Sequence, residues 1–375
     1  MGLLMLKKIA VTGGPCSGKS TFMLYVREKL LDYGVRALAV PESATIMISG
    51  AVPDIERIYR EDPRLYNLVQ QQIFEMQWEL ERRFEETAGI FANDRVALIS
   101  DRGAMDSLAY WTEDAFYRAL AEHGTNVHEA LANYDAVIFL VTAAKGAESF
   151  YTTANNAARR ETLEEARAVD DKTLRAWIGH PHLIIIDNER SLSFEHKMRR
   201  ALRAVTRVLG IPAPLEIERK YLVPASLLNA GKDLLRDARV SVIEQMYIDV
   251  SSGDEQVRIR KRTYSGHSLC YETRKRRISA AVRTEIERRI SSVEYDSLSR
   301  LRIPGTRVIQ KQRHCFVYHN QYFELDIFEE PSYLCLLEIE LTEESETVEL
   351  PHAWRDLLDV TEDPQFTNYE IARRG

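Results

Sequence analysis

Apolar residues recur along this chain with two different periods, and the change comes near residue 210. In the first half, short continuous apolar runs are bounded by polar residues: Lys7–Val11, Ala37–Val40, Val96–Ser100, Ala136–Val141 and Leu183–Ile186. Such runs fit parallel strands buried on both faces. Between them the spacing is helical. Lys19–Tyr33 stops near Gly34, Pro63–Phe91 is a long amphipathic stretch, and Phe194–Leu209 closes the half. Strands alternating with helices predict a doubly wound α/β domain over residues 1–210. Two prolines, Pro212 and Pro214, then follow a helix-ending Gly210 and mark a linker.

Beyond the linker the period is two. Leu215–Leu222, Ser241–Val250, Gln256–Thr263, Ser268–Arg274, Ala281–Arg289, Val308–Val317, Gln321–Phe328 and Cys335–Thr342 all read as strands. Short helical pieces are expected at Ala225–Asn229, Ser292–Leu301 and Ala353–Leu358. Residues 211–375 are therefore expected to form an α+β domain built on an antiparallel β-barrel.

Composition narrows the class. With 375 residues, 45% of them hydrophobic and 29% charged, the chain can fill two cores. A net charge of −7 argues against a general nucleic-acid binder. The stretch from Arg258 to Arg277 is strongly basic all the same, which suits a compact anion. Cys16, Cys270, Cys315 and Cys335 lack the spacing of a zinc site, and a chain of this size needs no disulfides. The N-terminal residues lack the apolar core of a signal peptide, and Leu6 stands where a myristoylation motif wants Ser or Thr. No apolar run approaches the roughly 18 residues that span a bilayer. The expectation is a cytoplasmic protein with reduced thiols.

The sharpest local signal is Gly13-Gly14-Pro15-Cys16-Ser17-Gly18-Lys19-Ser20, which matches GxxxxGK[ST] and lies between a predicted strand and a predicted helix. Its glycines let backbone N–H groups turn in around phosphates, and the helix N-terminus adds a favourable dipole. Gly13, Gly14, Ser17, Gly18, Lys19, Ser20 and Thr21 are thus the candidate site for a nucleoside triphosphate, with Lys19 at the β/γ-phosphates and Ser20 on Mg²⁺. Asp101 ends the run Val96–Ser100 as a second Mg²⁺ ligand would. Arg102 beside it could grip a substrate phosphate or form a surface salt bridge. Arg159 and Arg160 follow the fourth core strand, as lid arginines or as a solvated helix face. Glu42, after the second strand, could bind a substrate hydroxyl or cap the next segment. Asn188, after the last strand, could approach the base. No NKxD motif separates GTP from ATP.

Gly13–Thr21, Val40-Pro41-Glu42-Ser43, Ser100-Asp101-Arg102-Gly103 with Asp106–Tyr110, Arg160–Ala166 and Ile186-Asp187-Asn188 resemble the NadR-type P-loop ATPase/kinase family. That family includes the nucleotide-binding half of the TRPL translocation defect proteins. The resemblance covers roughly residues 5–210. It implies the fold and nucleotide binding, and leaves the phosphoryl acceptor open.

The second half carries charge in a pattern. Residues i, i+2 and i+4 of a strand share a face. Glu216, Glu218 and Lys220 therefore point one way, as do Arg258 with Arg260, Lys311 with Arg313, Glu324 with Asp326, and Glu338 with Glu340. Val257, Ile259, Phe323, Leu325, Leu337, Ile339 and Leu341 face oppositely. If the sheet closes, the charges line an interior. Such charges are too costly to bury dry, so the interior must hold water, divalent cations and a polyanion. Hard oxygen ligands favour Mg²⁺ or Mn²⁺.

Glu216-x-Glu218-x-Lys220 at the start of a β-rich domain resembles the CYTH family of triphosphate tunnel enzymes, which includes thiamine triphosphatases, inorganic triphosphatases and class IV adenylate cyclases. The resemblance covers about residues 214–372. It implies Glu216, Glu218, Asp326, Glu338 and Glu340 as metal ligands. It also implies Lys220, Arg258, Arg260, Lys275 and Arg313 as phosphate ligands, with Lys311 beside them. Arg274 and Arg276 compete with Lys275 for the inward register. Chemistry would rest on Glu216, Glu218 and Lys220 in the second half, and on Arg102, Arg159 and Arg160 in the first. The domain order is that of the TRPL translocation defect proteins, which are associated with GTP and anionic phospholipids. Two functions follow. One is an enzyme that hydrolyses a tri- or polyphosphate or a phosphorylated small molecule. The other is a nucleotide-dependent regulator whose barrel grips an anionic phospholipid headgroup at a membrane surface.

Overall fold

The computed structural model describes residues 6–50, 52–91, 95–151, 162–191, 193–211, 217–250, 255–277, 283–332, 334–341 and 346–374. The chain divides into two compact units, Met1–Leu209 and Gly210–Gly375. Arg159, Arg160 and Glu216 lie outside the described residues.

In the first unit the apolar runs become strands β1 (Lys7–Thr12), β2 (Val35–Val40), β3 (Arg95–Asp101), β4 (Ala136–Leu140) and β5 (Leu183–Ile186). They pair in parallel in the order β2-β3-β1-β4-β5. Helices α1 (Lys19–Asp32), α2 (Ser43–Gly50), α3 (Ile55–Glu61), α4 (Pro63–Ile90), α5 (Glu113–Glu122), α6 (Val127–Ala132), α7 (Leu163–Trp177) and α8 (Phe194–Val208) run between and after the strands. Local chemistry sets the helix starts. Asp62 accepts from Leu65 N ahead of Pro63 at the start of α4, and Thr162 and Glu165 form a reciprocal capping box on α7. The strands bury Ile9, Val11, Leu98, Ile99 and Ile138 completely. Their C-terminal ends deliver Thr12, Glu42, Asp101, Thr142 and Asn188 to one edge of the sheet, where open α/β sheets bind ligands.

The second unit is a nine-stranded sheet: β6 (Glu218–Leu222), β7 (Arg239–Ile248), β8 (Glu255–Tyr264), β9 (His267–Arg277), β10 (Arg283–Ile290), β11 (Ile309–Tyr318), β12 (Gln321–Phe328), β13 (Cys335–Glu340) and β14 (Leu358–Asp359). Short helices α9 (Lys232–Leu235), α10 (Ser292–Ser299) and α11 (Asn368–Arg373) accompany it. All pairings are antiparallel, in the order β10-β9-β8-β7-β11-β12-β13-β6-β14. The helix expected at Ala353–Leu358 shrinks to one 3₁₀ turn, His352–Trp354, and Leu358 enters β14. Trp354 decides this: its ring is buried and its indole N–H donates to Leu227 O at 3.0 Å, which ends the turn there.

One face of the sheet is apolar. Tyr221, Phe316, Phe323, Leu325, Leu337, Ile339 and Trp354 form one cluster on it, and Met246, Val257, Ile259, Ile290 and Tyr295 another. The opposite face carries the charges, and its centre is buried: Lys311 is 2% exposed and Asp326 0%, while Glu340 is exposed. At one end of that face, α11 packs Ile371 and Ala372 against Tyr247, Ile309, Phe328 and Leu336.

Candidate functional site

The phosphate loop leaves β1 through Gly13, whose φ of +141° and close approach to Leu140 exclude a side chain; a Cβ there would lie 2.0 Å from Leu140 O. Lys19 Nζ lies 3.0 Å from Gly13 O, folded back over the loop. Burial, with Arg102 nearby, lowers the Lys19 ammonium to about 8. Ser17 is buried in the loop and its hydroxyl has no hydrogen-bond partner. Ser20 and Thr21 are exposed at the start of α1. Asp101 Oδ1 is likewise buried without a partner, and burial raises its carboxyl to about 6. An orphaned hydroxyl in the loop and an orphaned carboxylate oxygen at the end of β3 are the groups that a nucleotide's phosphate and its Mg²⁺ would satisfy, so the residues fit both.

Asn188 has a structural task. Its Nδ2 donates to Thr142 O at 2.8 Å and Lys145 O at 2.7 Å, and its Oδ1 accepts from Lys197 Nζ at 2.8 Å. The amide thereby braces the loops beside the phosphate site. Lys197 also donates to Ser17 O and Val141 O, and its burial lowers it to about 7. Asp170 on α7 is fully buried and accepts from Gly14 N and Thr142 N. Neither Lys197 nor Asp170 stands out in the sequence, because each reaches the loop across more than a hundred positions.

Arg102 has a left-handed backbone, φ +66°, with its N–H on Val11 O. Its guanidinium meets Glu42 through Nε and Asp106 through NH1 at 3.3 Å. Asp106 in turn accepts from Thr12 Oγ1 and from Gly103 N. Burial alone would raise Glu42, but Arg102 and Lys19 hold it at about 2. The arginine expected to grip a substrate phosphate is thus already paired with two carboxylates.

In the second unit the backbone registers settle which residues share the charged face. Glu218 lies opposite Glu340, Lys220 opposite Glu338, and Glu338 opposite Glu324. Arg313 lies opposite Asp326, Arg260 opposite Gln245, and Arg258 opposite Thr273. Lys275 lies opposite Gln256 and Glu285, which puts it on the face of Arg258 and Arg260. Arg274 turns the other way, to Glu272 and Glu255.

Charges of both signs interdigitate on this face. Lys220 Nζ is 3.0 Å from Glu338 and 3.8 Å from Glu218. Arg313 binds Asp326 through Nε at 2.7 Å and NH2 at 2.6 Å, touches Glu338 at 3.0 Å, and meets Glu324 through NH1. Lys311 shares Asp326 and lies 3.2 Å from Asn368 Oδ1. Burial would raise Glu338, yet Lys220, Lys311 and Arg313 pull it well below the carboxylate range. Burial would lower Lys220, and Glu338 with Glu218 overcomes this and raises it. Further along, Arg260 NH2 meets Glu287 at 2.9 Å and Arg262 Nε meets Ser241 Oγ at 3.3 Å. The β8–β9 wall, with Arg258, Arg260, Arg262 and Lys275, is base-rich, while β6, β12 and β13 bring the acids.

Arg260 Nε, a donor suited to a phosphate oxygen, and Glu324 Oε1, an acceptor suited to a cation or its water, are buried here without a hydrogen-bond partner. Glu324 is a carboxylate that the CYTH resemblance does not pick out. Asp326 is placed differently from the ligand implied there, since both its oxygens are taken by Lys311 and Arg313. Among the described residues, no three His, Cys, Asp or Glu side chains form a ready-made metal cluster. No helix among them is long and apolar enough to cross a membrane, and none of the four cysteines is in a disulfide.

The AAA_28 family model, an AAA domain, matches residues 8–196, and the CYTH domain model matches residues 214–375. Crystal structures of the hypothetical protein NE1496 and of the inorganic triphosphatase NE1496 are 26% and 25% identical to this chain. Each covers 42% of it, and they cover 98% and 95% of their own chains, with TM-scores of 0.31. The PH1819 protein of Pyrococcus horikoshii is 24% identical over 35% of this chain and 81% of its own, with a TM-score of 0.28. No curated protein matches the chain.

Proposed function

The chain belongs to the AAA_28 family and carries a CYTH domain behind its AAA domain; from that premise we propose a phosphate enzyme with two separate sites. The first unit binds ATP or GTP with Mg²⁺ at the phosphate loop, and the second binds and hydrolyses a linear tri- or polyphosphate with a divalent cation. The observation that carries the second site is the charged face of the sheet, which Arg258, Arg260, Arg262 and Lys275 of β8 and β9 share with Glu218, Glu338 and Glu340 of β6 and β13. A polyanion and a cation entering together would replace the pairing that these charges now give one another.

Ser20 and Asp101 would hold Mg²⁺ in the first unit, and Glu218, Glu324, Glu338 and Glu340, with Glu216, the cation in the second. A bound divalent ion supplies Lewis acidity and a more acidic water. The chain's own residues do the remainder. Arg258, Arg260, Lys275 and Arg313 orient the phosphate chain, and Lys311 keeps Arg313 company on Asp326. Lys220 holds Glu338 ionised. The apolar end under α11 bounds the space available to the chain.

The test is phosphate release by the full chain from tripolyphosphate, thiamine triphosphate and nucleoside triphosphates, with Mg²⁺ and with Mn²⁺. Release from a linear triphosphate that is lost in Glu218→Ala and Glu338→Ala is expected. Binding without release across metals and pH would overturn the hydrolytic reading and leave a regulator.

A further inference from the structure

The bases of the second unit's charged face run further than a triphosphate reaches. Arg258, Arg260 and Arg262 recur at every second residue of β8 and so share that face. Arg258 lies opposite Tyr247 of β7, at the end that α11 covers. Arg239 begins β7, eight residues before Tyr247. It shares a face with Ser241, whose Oγ takes the Arg262 Nε at 3.3 Å. Eight residues of strand span about 26 Å. A triphosphate, with its three phosphorus atoms joined through two oxygens, covers only part of that length.

Arg239 is placed to take an anion. Its guanidinium lies over the Tyr264 ring at 5.3 Å, which fixes its plane, and its NH1 is buried without a hydrogen-bond partner. Cys315 of β11 stands opposite Arg239, and Glu324 of β12 stands opposite Cys315. Burial holds the Cys315 thiol up at about 11, so the residue between the two charges is small and neutral. Glu324 Oε1 is buried without a partner as well. An unsatisfied donor and an unsatisfied acceptor thus flank one neutral position. A phosphoryl group on Arg239, with its cation on Glu324, satisfies both.

We propose that Arg239, stacked on Tyr264, is a further anion subsite of the second unit, and that it selects linear polyphosphates longer than three phosphoryl groups. Arg258, Arg260 and Lys275 hold the part of the chain nearer α11. The chain then passes Arg262 and Arg313, and its far end rests on Arg239. A tripolyphosphate held by the first of these bases leaves Arg239 unused. This rests on the polyphosphate reading of the second unit.

The experiment titrates the full chain with tripolyphosphate and with linear hexapolyphosphate in a calorimeter, in metal-free buffer so that neither is hydrolysed. Lys19→Ala is carried throughout, so that the phosphate loop adds no binding. Hexapolyphosphate should bind at least thirtyfold more tightly than tripolyphosphate, beyond the statistical gain of its extra registers. Arg239→Ala should lower hexapolyphosphate affinity at least tenfold while tripolyphosphate affinity stays within about twofold. Arg239→Lys keeps the charge without the flat stacked group, and it should recover part of the loss. Equal affinities for the two chains, an equal loss of both in Arg239→Ala, or no loss of either overturns the proposal. Binding of neither chain before Arg239 is changed overturns the polyphosphate reading beneath it and is seen separately.

Discussion

Asp170 Oδ1 accepts the backbone N–H of Gly14 at 2.9 Å, so a carboxylate on α7 ties down the second residue of the phosphate loop. A Cβ on Gly14 would fall 2.7 Å from that carboxylate, so the contact also explains why a glycine stands there. The same oxygen holds Thr142 N, and Oδ2 meets Lys145. Asp170→Ala would leave two buried N–H groups unpaired, at about 1–3 kcal/mol each. The variant should bind nucleotide at least tenfold more weakly and melt earlier. Calorimetric titration and a thermal scan check both, and an unchanged affinity would detach α7 from the function of the loop.

A second prediction concerns the fully buried Asp326. Removing one member of a buried ionic group costs about 3–5 kcal/mol, because the partners keep their charge. Asp326→Ala leaves Lys311 with Asn368 and Arg313 with Glu324 and Glu338. It should destabilise the second unit by that order. Added tripolyphosphate should restore more stability to the variant than to the wild type, since it meets the bases that Asp326 released. Equal shifts in the two proteins would mean that these bases do not face the ligand.

How far the sequence could be read depended on the range of each interaction. Strand parity is local, so alternation alone assigns Val257 and Ile259 to one face and Arg258 and Arg260 to the other. The phosphate loop and Asp101 announce themselves by spacing. Arg274, Lys275 and Arg276 could not be sorted by period, because three consecutive bases fit either register; pairing with β8 and β10 decides it. Pairings between distant strand ends were hidden altogether. Glu42 and Arg102 are sixty positions apart, and the left-handed backbone of Arg102 that lets them meet has no signature in a non-glycine residue. The bonds of the Asn188 amide to the carbonyls of Thr142 and Lys145, 46 and 43 positions away, were equally hidden.

Acid should find the first unit through Glu42. Its folded value of about 2 lies below the ordinary carboxylate value because the pull of Arg102 and Lys19 outweighs burial. A depressed carboxylate stabilises above its unfolded pKa, and that stabilisation is lost as pH falls toward the folded value. The window is therefore roughly pH 4.5 down to 2, and the contribution at neutral pH is on the order of 3 kcal/mol. Glu42→Gln cannot titrate, so the stability gap between wild type and variant should narrow between pH 5 and pH 3. A gap that stays constant over that interval would show that the Glu42–Arg102 pair is not formed in solution.

A charged face that takes both a cation and a polyanion makes one demand that a merely solvated sheet does not: its two kinds of ligand must be separable by mutation. Tripolyphosphate with Mn²⁺ should raise the melting temperature of the second unit, with about 2.7 kcal/mol of stabilisation at a hundredfold excess over Kd in the one-site limit. Arg260 has a buried Nε with no hydrogen-bond partner and sits on the base-rich wall, so Arg260→Ala should weaken tripolyphosphate binding while Mn²⁺ binding changes little. Glu338 sits between Lys220 and Arg313, so Glu338→Ala removes an acid and frees two bases. It should weaken Mn²⁺ binding and, without metal, tighten tripolyphosphate binding. The opposite signs matter, because general loss of folding would weaken both ligands in both variants. If Glu338→Ala loses tripolyphosphate affinity in metal-free buffer as Arg260→Ala does, the acids and bases of this face do not compete for one another. The exchange of internal pairs for cation and polyanion would then fail as the basis of its function.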